Sequence, residues 1–206
     1  MPLQNRVTPE GEIIATPARG TMMGNRGGCL HRPDKTLTGR RWVSRQWICC
    51  ELAFNGRHRE LMAERRYTEL FFLDEATALA AGHRPCFECR RADAIAFASL
   101  WAKAEGVEER PKADRMDRVL HAERLNPDGG KRTFRAALGD LPSGCLVRIA
   151  GRPHLLNERQ LHAWTPQGYN RAEPAAPAQI VDVLTPPAIV ALLQIGLKPR
   201  LHPSIA

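Results

Sequence analysis

The chain has 206 residues, a formal charge of +8 and a pI near 9.6, with 43% hydrophobic residues. That is enough for one full core, or for one domain with an appendage. No apolar run is long enough to span a bilayer, and the N-terminus lacks the charged-then-apolar signal pattern. Six cysteines without an export signal point to reduced thiols in the cytoplasm rather than to a disulfide frame. Arginine far outnumbers lysine. Guanidinium groups pair bidentately with phosphate and stack on bases, so nucleic acid is the partner this balance suggests. A GC-rich genome gives the same bias with no such partner.

Met1 to Arg19 is polar, carries three prolines and reads as a loosely ordered lead-in with a strand at Ile13-Ile14. Thr21 to Arg41 is Gly- and Arg-rich. Gly24, Gly27 and Gly28 leave backbone N–H groups open to an anion, and Arg26, Arg32, Arg40 and Arg41 surround them. Cys29 and His31, two apart on an extended segment, point the same way and are candidate ligands. A loop that happens to contain both is the plainer reading.

Arg41 to Met62 reads as a β-hairpin turning at Asn55-Gly56, with Arg57 in the returning strand. Alternation puts Ile48, Cys50, Leu52 and Phe54 on an apolar face, with Trp47, Cys49, Glu51, His58 and Glu60 on the other. Cys50 then packs into the core and Cys49 shares a face with His58. Either thiol can join a metal site elsewhere.

Tyr67 to Trp101 is the stretch whose residue types demand a particular chemistry. Leu70 to Leu73 is a short apolar strand, Asp74 a helix N-cap and Gly82 the left-handed residue that closes the helix. His83-Arg84-Pro85 then delivers Cys86 and Cys89 at C-x-x-C spacing. A second helix follows, with Ile95, Phe97, Leu100 and Trp101 at helical intervals. Two residues between the thiols let a tight turn aim both sulfurs at one tetrahedral Zn²⁺. Free N–H groups at the helix start and the charges of Arg84, Arg90 and Arg91 favour thiolate. A thioredoxin-like redox pair lacks the expected strand directly before the motif. Two unrelated core thiols would not call for Pro85 and flanking arginines.

The run Phe71-Phe72-Leu-Asp-Glu-Ala-Thr-Ala-Leu-Ala-Ala-Gly-His-Arg-Pro-Cys-Phe-Glu-Cys-Arg resembles the second half of the zinc-binding N-terminal domain of the Ada DNA-repair protein. The likeness is contiguous from Phe71 to Arg91. It implies a zinc held by four cysteines, one of which takes a methyl group from a DNA phosphotriester, and two of the four fall on Cys86 and Cys89. The family's other two form a C-x-x-x-C pair that this chain lacks; Cys49 and Cys50 stand further upstream than that spacing.

Lys103 to Asp114 reads as an exposed connection, and Asp114 to Leu125 as a helix with Met116, Val119, Leu120 and Leu125 inward. On it, His121 shares a basic face with Arg118 and Arg124 that is suited to phosphate or simply solvated. From Leu141 the texture is β, with strands at Cys145 to Ala150, His154 to Leu156 and Gln160 to Trp164. Trp164 and Tyr169 are either a base-stacking pair or corner residues that plug the sheet. Arg171 to Pro177 reads as linker, Ile180 to Leu184 as a strand, and Thr185 as the cap of a last helix ending at Gly196.

The expected architecture is α+β: a Gly/Arg-rich segment (1–40), an Ada-like zinc-bearing hairpin and helix part (41–105), and a small β-rich part with a C-terminal helix (106–206). The expected function is a cytoplasmic zinc-containing nucleic-acid-binding protein in DNA repair or processing, DNA ahead of RNA. Candidate ligands are Cys86, Cys89, Cys49, Cys50 and His58; candidate phosphate contacts are Arg84, Arg90, Arg91, Arg26 and Arg57. Two alternatives stand beside it. One is a zinc enzyme on nucleic acid, with a thiolate alkyl acceptor or a metal-bound water. The other is a structural zinc protein that binds another protein through the C-terminal sheet.

Overall fold

A computed structural model describes residues 1–56 and 60–205. The fold is α+β, with two six-stranded sheets and four α-helices among the described residues. Across the N-terminal sheet the strands run β2 (Ile13–Ala15), β1 (Gln4–Val7), β5 (Leu70–Phe72), β3 (Met22–Asn25), β4 (Ile48–Cys50) and β6 (Arg84–Pro85). The β1–β5 and β4–β6 pairs are parallel and the rest antiparallel. The C-terminal sheet is antiparallel throughout. Its order is β11 (Gly168–Pro174), β10 (Gln160–Thr165), β9 (Arg152–Asn157), β8 (Leu146–Ile149), β12 (Ile180–Val183) and β7 (Phe134–Ala137).

The stretch around the C-x-x-C forms as its residues dictate. Asp74 accepts hydrogen bonds from the Thr77 backbone N–H and hydroxyl, both at 2.8 Å, and so caps α1 (Glu75–Ala80). Gly82 follows the helix with φ +85°, and a Cβ there would come within 2.5 Å of the Arg124 side chain. Then come β6, the knuckle and α2 (Arg91–Glu105), which buries Ala94, Phe97, Ala98, Trp101 and Ala102. Next is α3 (Ala113–Arg124), with Met116 and Leu120 fully inside. Finally α4 (Pro187–Gln194) begins on Pro186; Thr185 does not cap it but accepts the Leu146 N–H at 2.9 Å.

One apolar core joins Leu79 of α1, Phe97 and Trp101 of α2, Met116 and Leu120 of α3, and Val147, Val181 and Val183 of the C-terminal sheet. Trp164 and Tyr169 reach back to the first helix. The Trp164 Nε1–H donates to Thr77 Oγ1 (3.0 Å), and the Tyr169 hydroxyl donates to Asp74 Oδ2 (2.9 Å). They are corner residues, as the buried Tyr169 ring requires.

Several expectations are corrected. Among the described residues the hairpin expected over 41–62 does not form. Asn55 and Gly56 adopt φ +51° and +63°, as their turn type demands, but β4 pairs with β3 and β6 instead of with the residues after the turn. Residues 171–174, expected as linker, belong to β11. The lead-in supplies β1, and the Gly-rich segment supplies the central strand β3.

Candidate metal centre

The cysteines at 50, 86 and 89 bring their sulfurs within 4.8 Å of one another. A tetrahedral ion with S bonds of about 2.3 Å needs sulfurs about 3.8 Å apart, so the three could hold a metal ion. The sheet brings them there. Because β4 runs parallel to β6, with Ile48 opposite Arg84 and Cys49 opposite Pro85, Cys50 arrives beside the start of the knuckle. The Cys86 N–H donates to Cys49 O at 2.9 Å and pins the junction. Within the knuckle the Glu88 N–H donates to Cys86 Sγ at 3.4 Å, and the Glu51 N–H is directed at Cys89. Such N–H groups hold thiolate in place.

The three thiols share protons unequally. Cys86 falls to about 5, first because Cys50 hydrogen-bonds to its sulfur and then through the N–H groups of Cys89 and Glu88. Cys50 is pushed up by donating that bond and by burial, and Cys89 is pushed up by its own burial. The first thiolate of the cluster thus forms at Cys86. Soft donors, two of them buried and all served by neighbouring donors, fit a thiophilic ion.

Cys49 has the opposite fate. It is fully buried among Val7, Met22, Leu70 and Phe72, and burial raises its thiol. The expected faces of this strand are therefore reversed: Trp47 and Cys49 point to the core, and Cys50 points to the cluster. Strand alternation fixed that the neighbours part; which one goes inward depends on β3 and β6, which the hairpin expectation had not supplied. Cys29 and His31 lie elsewhere. The imidazole of His31 bonds Thr68 Oγ1 at 2.7 Å and Ala63 O at 3.2 Å, and Cys29 packs on its ring. His58 and Arg57 lie outside the described residues.

Three of the arginines expected at phosphate are consumed inside the protein. Arg84, 4% exposed, makes a two-pronged pair with buried Asp117 at 2.9 and 2.7 Å. Arg90, 3% exposed, binds Glu75 (2.7 Å) and Asp93 (2.8 Å) and donates to Cys49 Sγ (3.5 Å). Arg26 is buried, stacks 3.8 Å from the Trp47 ring centroid and donates to Gly11 O and Arg41 O. Their sequence positions beside the cysteines and glycines had suggested anion contact, but each sits on an inward-facing position. Arg91 alone of the described candidates is exposed. It borders a groove of about 410 Å³ with Phe87, Ile95, Arg110, Pro111 and Lys112, running out from the knuckle.

The site is latched by the C-terminal tail, which sequence reasoning left extended and without a role. The Arg200 guanidinium bridges Glu51 (2.7 Å) and Asp93 (2.6 Å), while its backbone N–H donates to Glu75 (3.0 Å). His202 donates its N–H to Asp74 at 3.1 Å. Arg90 and Arg200 thus hold the acidic residues around the cluster from two sides. No helix among the described residues is long and apolar enough to cross a membrane. Compared with known proteins, the chain matches no family model, and no curated protein or solved structure is significantly similar to it.

Proposed function

We propose that this is a zinc-containing nucleic-acid-binding protein, acting on DNA ahead of RNA in repair or processing. The observation that carries the reading is the convergence of Cys50, Cys86 and Cys89 at the foot of α2. From there Arg91, Arg110 and Lys112 line an open groove with an apolar floor. Thiolates from a C-x-x-C knuckle and a neighbouring strand are a usual zinc donor set. Exposed cations beside such a knuckle suit a phosphate backbone. DNA comes first because the residues that resemble the repair domain, Phe71 to Arg91, end on this cluster.

Zinc held by the three thiolates would stabilise the knuckle and keep sulfur ionised at neutral pH. A second reading, an alkyl-accepting enzyme, is favoured by one feature: Cys89, alone of the three thiols, is only half-buried. In that reaction the Cys89 thiolate attacks the methyl carbon of a phosphotriester. An S–C bond forms, the C–O bond breaks, and the phosphodiester leaves with the electron pair.

The test has two stages. Purified protein should carry one zinc per chain by elemental analysis, and bind random-sequence duplex with an affinity that falls steeply with salt. Replacing Arg91, Arg110 and Lys112 together by Glu should reduce the salt slope by about 3, roughly one per lost contact. Chain without stoichiometric metal, or without binding to DNA at low salt, would refute the reading. A methyl mass gain on Cys89 after exposure to phosphotriester DNA would establish the transfer; an unmodified Cys89 would leave binding alone.

A further inference from the structure

The outer face of the N-terminal sheet carries a row of side chains fixed by register. Arg6 of β1 stands opposite Phe71 of β5, Phe71 opposite Met23 of β3, and Met23 opposite Cys50 of β4. Their chain neighbours Val7, Phe72, Met22 and Cys49 fill the core on the other face. The row thus runs straight from a cation, over an aromatic ring and a thioether, to a ligand of the metal cluster.

Above this row lies a cavity of about 500 Å³, within the range of small-molecule sites. Phe71 and Met23 form its floor, Leu52 and Phe54 a wall, and Arg6 and Arg19 bring two guanidiniums to it. Leu52, 51% exposed, is an otherwise unexplained apolar side chain on the surface, two residues past Cys50. The Arg6 guanidinium sits 4.7 Å from the Phe71 ring centroid and donates to Ala18 O at 2.7 Å, so its position is fixed before any ligand arrives. Arg19 is exposed; burial first, and then the nearby Arg19, disfavour the charge on Arg6. Two like charges at one apolar cavity are relieved by an anion. The lining also holds the carboxylates of Glu51 and Glu69. Glu51 is bound by Arg200 at 2.7 Å, and Glu69 accepts the Met62 N–H at 2.8 Å. Of the two, Glu51 is part-exposed and can accept from a ligand's N–H groups, whereas Glu69 is only 2% exposed.

We infer that this cavity binds one nucleotide, with its base against Phe71 and Met23 and its phosphate at Arg6 and Arg19. Flat aromatic surface, a fixed anion site and a nearby acceptor for amino groups are the three complementary features. Base stacking on such a floor is tolerant of base identity, because every base has a π-face. The inference rests on the nucleic-acid reading for the identity of its ligand. It adds that an unstacked nucleotide, rather than the duplex groove, is what lies next to the metal cluster.

The experiment uses the full-length, metal-loaded chain. The four deoxynucleoside 5′-monophosphates, the four deoxynucleosides and inorganic phosphate are titrated by calorimetry, followed by a short single strand and a duplex. At least one monophosphate should bind about tenfold tighter than its nucleoside or phosphate alone, since it meets both halves of the site. Arg19→Glu should weaken it about tenfold through charge reversal, and Met23→Trp should block it by filling the floor. If Met23→Trp fails to fold, Arg19→Glu, on the exposed rim, still decides the question. A single strand that binds more tightly than the monophosphate and displaces it identifies the source as a strand; a weaker one identifies free nucleotide. Duplex or single-strand binding with no monophosphate binding would overturn the cavity and leave the nucleic-acid reading standing. Monophosphate binding that neither variant alters would also overturn the cavity. Monophosphate binding without any DNA binding would support the cavity and refute that reading.

Discussion

Adjacent residues with opposite fates give the sharpest test at the level of single side chains. Cys50 belongs to the thiol cluster and Cys49 to the core, although one peptide bond separates them. Cys50→Ser should abolish stoichiometric zinc, because oxygen is a poor substitute for thiolate in a soft site. Cys49→Ala should retain one zinc per chain and cost only about 1 kcal/mol in urea unfolding, the scale of a small cavity. Metal content of the two variants, measured side by side, checks the reversal of faces. A second pair follows from burial. Asp117→Ala leaves the Arg84 guanidinium, 5% exposed, without its counter-charge, and should cost about 3–5 kcal/mol. Replacing both, with Arg84→Met and Asp117→Leu, should recover much of that loss.

Elements are held here by contacts between remote segments, which limits what the sequence can announce. Tyr169 lies 95 residues from Asp74, yet its hydroxyl shares that carboxylate with the backbone of His202. Tyr169→Phe should therefore loosen α1 and the β10–β11 pair together. The cost is about 1.5–3 kcal/mol, the range for a bond to a charged acceptor, and hydrogen exchange should quicken in both elements. The Asp74 cap, Gly82 and the knuckle were legible because each is a local device: a short polar side chain, a left-handed turn, two thiols three apart. Strands β1, β3 and β7 were not. They have four residues each, include Gln4, Asn5, Gly24 and Asn25, and exist because neighbours complete them. Gly24 shows why: a Cβ there would lie 2.1 Å from Ile48 O, so the residue that looked like loop is what lets β4 close on β3. The same blindness put Arg26, Arg84 and Arg90 at the surface. Charge is visible in a sequence, but the partner that buries it is not.

Across the whole molecule the interior is cationic where the two halves meet. Trp47 has the guanidinium of Arg26 at 3.8 Å and that of Arg124 at 3.9 Å, with the His83 ring centroid at 5.0 Å. Arg124 donates from its two Nη groups to Gly82 O, Arg45 O and His121, while its buried Nε has no partner, and Lys131 donates to Ala80 O. Carbonyl dipoles and a π-face thus replace counter-ions, and they leave little tolerance for further charge. His83, fully buried, is held well below its ordinary value, first by burial and then by Arg26, Arg124 and Lys131. Its hydrogen-bond partner is the Arg26 Nε–H, 3.4 Å from Nε2, an arrangement that requires a neutral ring. The unfolded chain takes up a proton on this imidazole below about pH 6.5, whereas the folded chain does not. Stability contributed by the neutral ring is therefore complete above that pH and lost as pH falls, by about 1.4 kcal/mol at pH 5.5. A His83→Gln variant has no such proton to take up. Its stability deficit relative to the parent, measured by urea unfolding of metal-loaded protein, should shrink by about that amount between pH 7.5 and 5.5. The parent's His83 ring should meanwhile show no NMR titration while the protein stays folded. A constant deficit, or a ring that titrates near its ordinary value, would mean that the cationic interior tolerates one more charge.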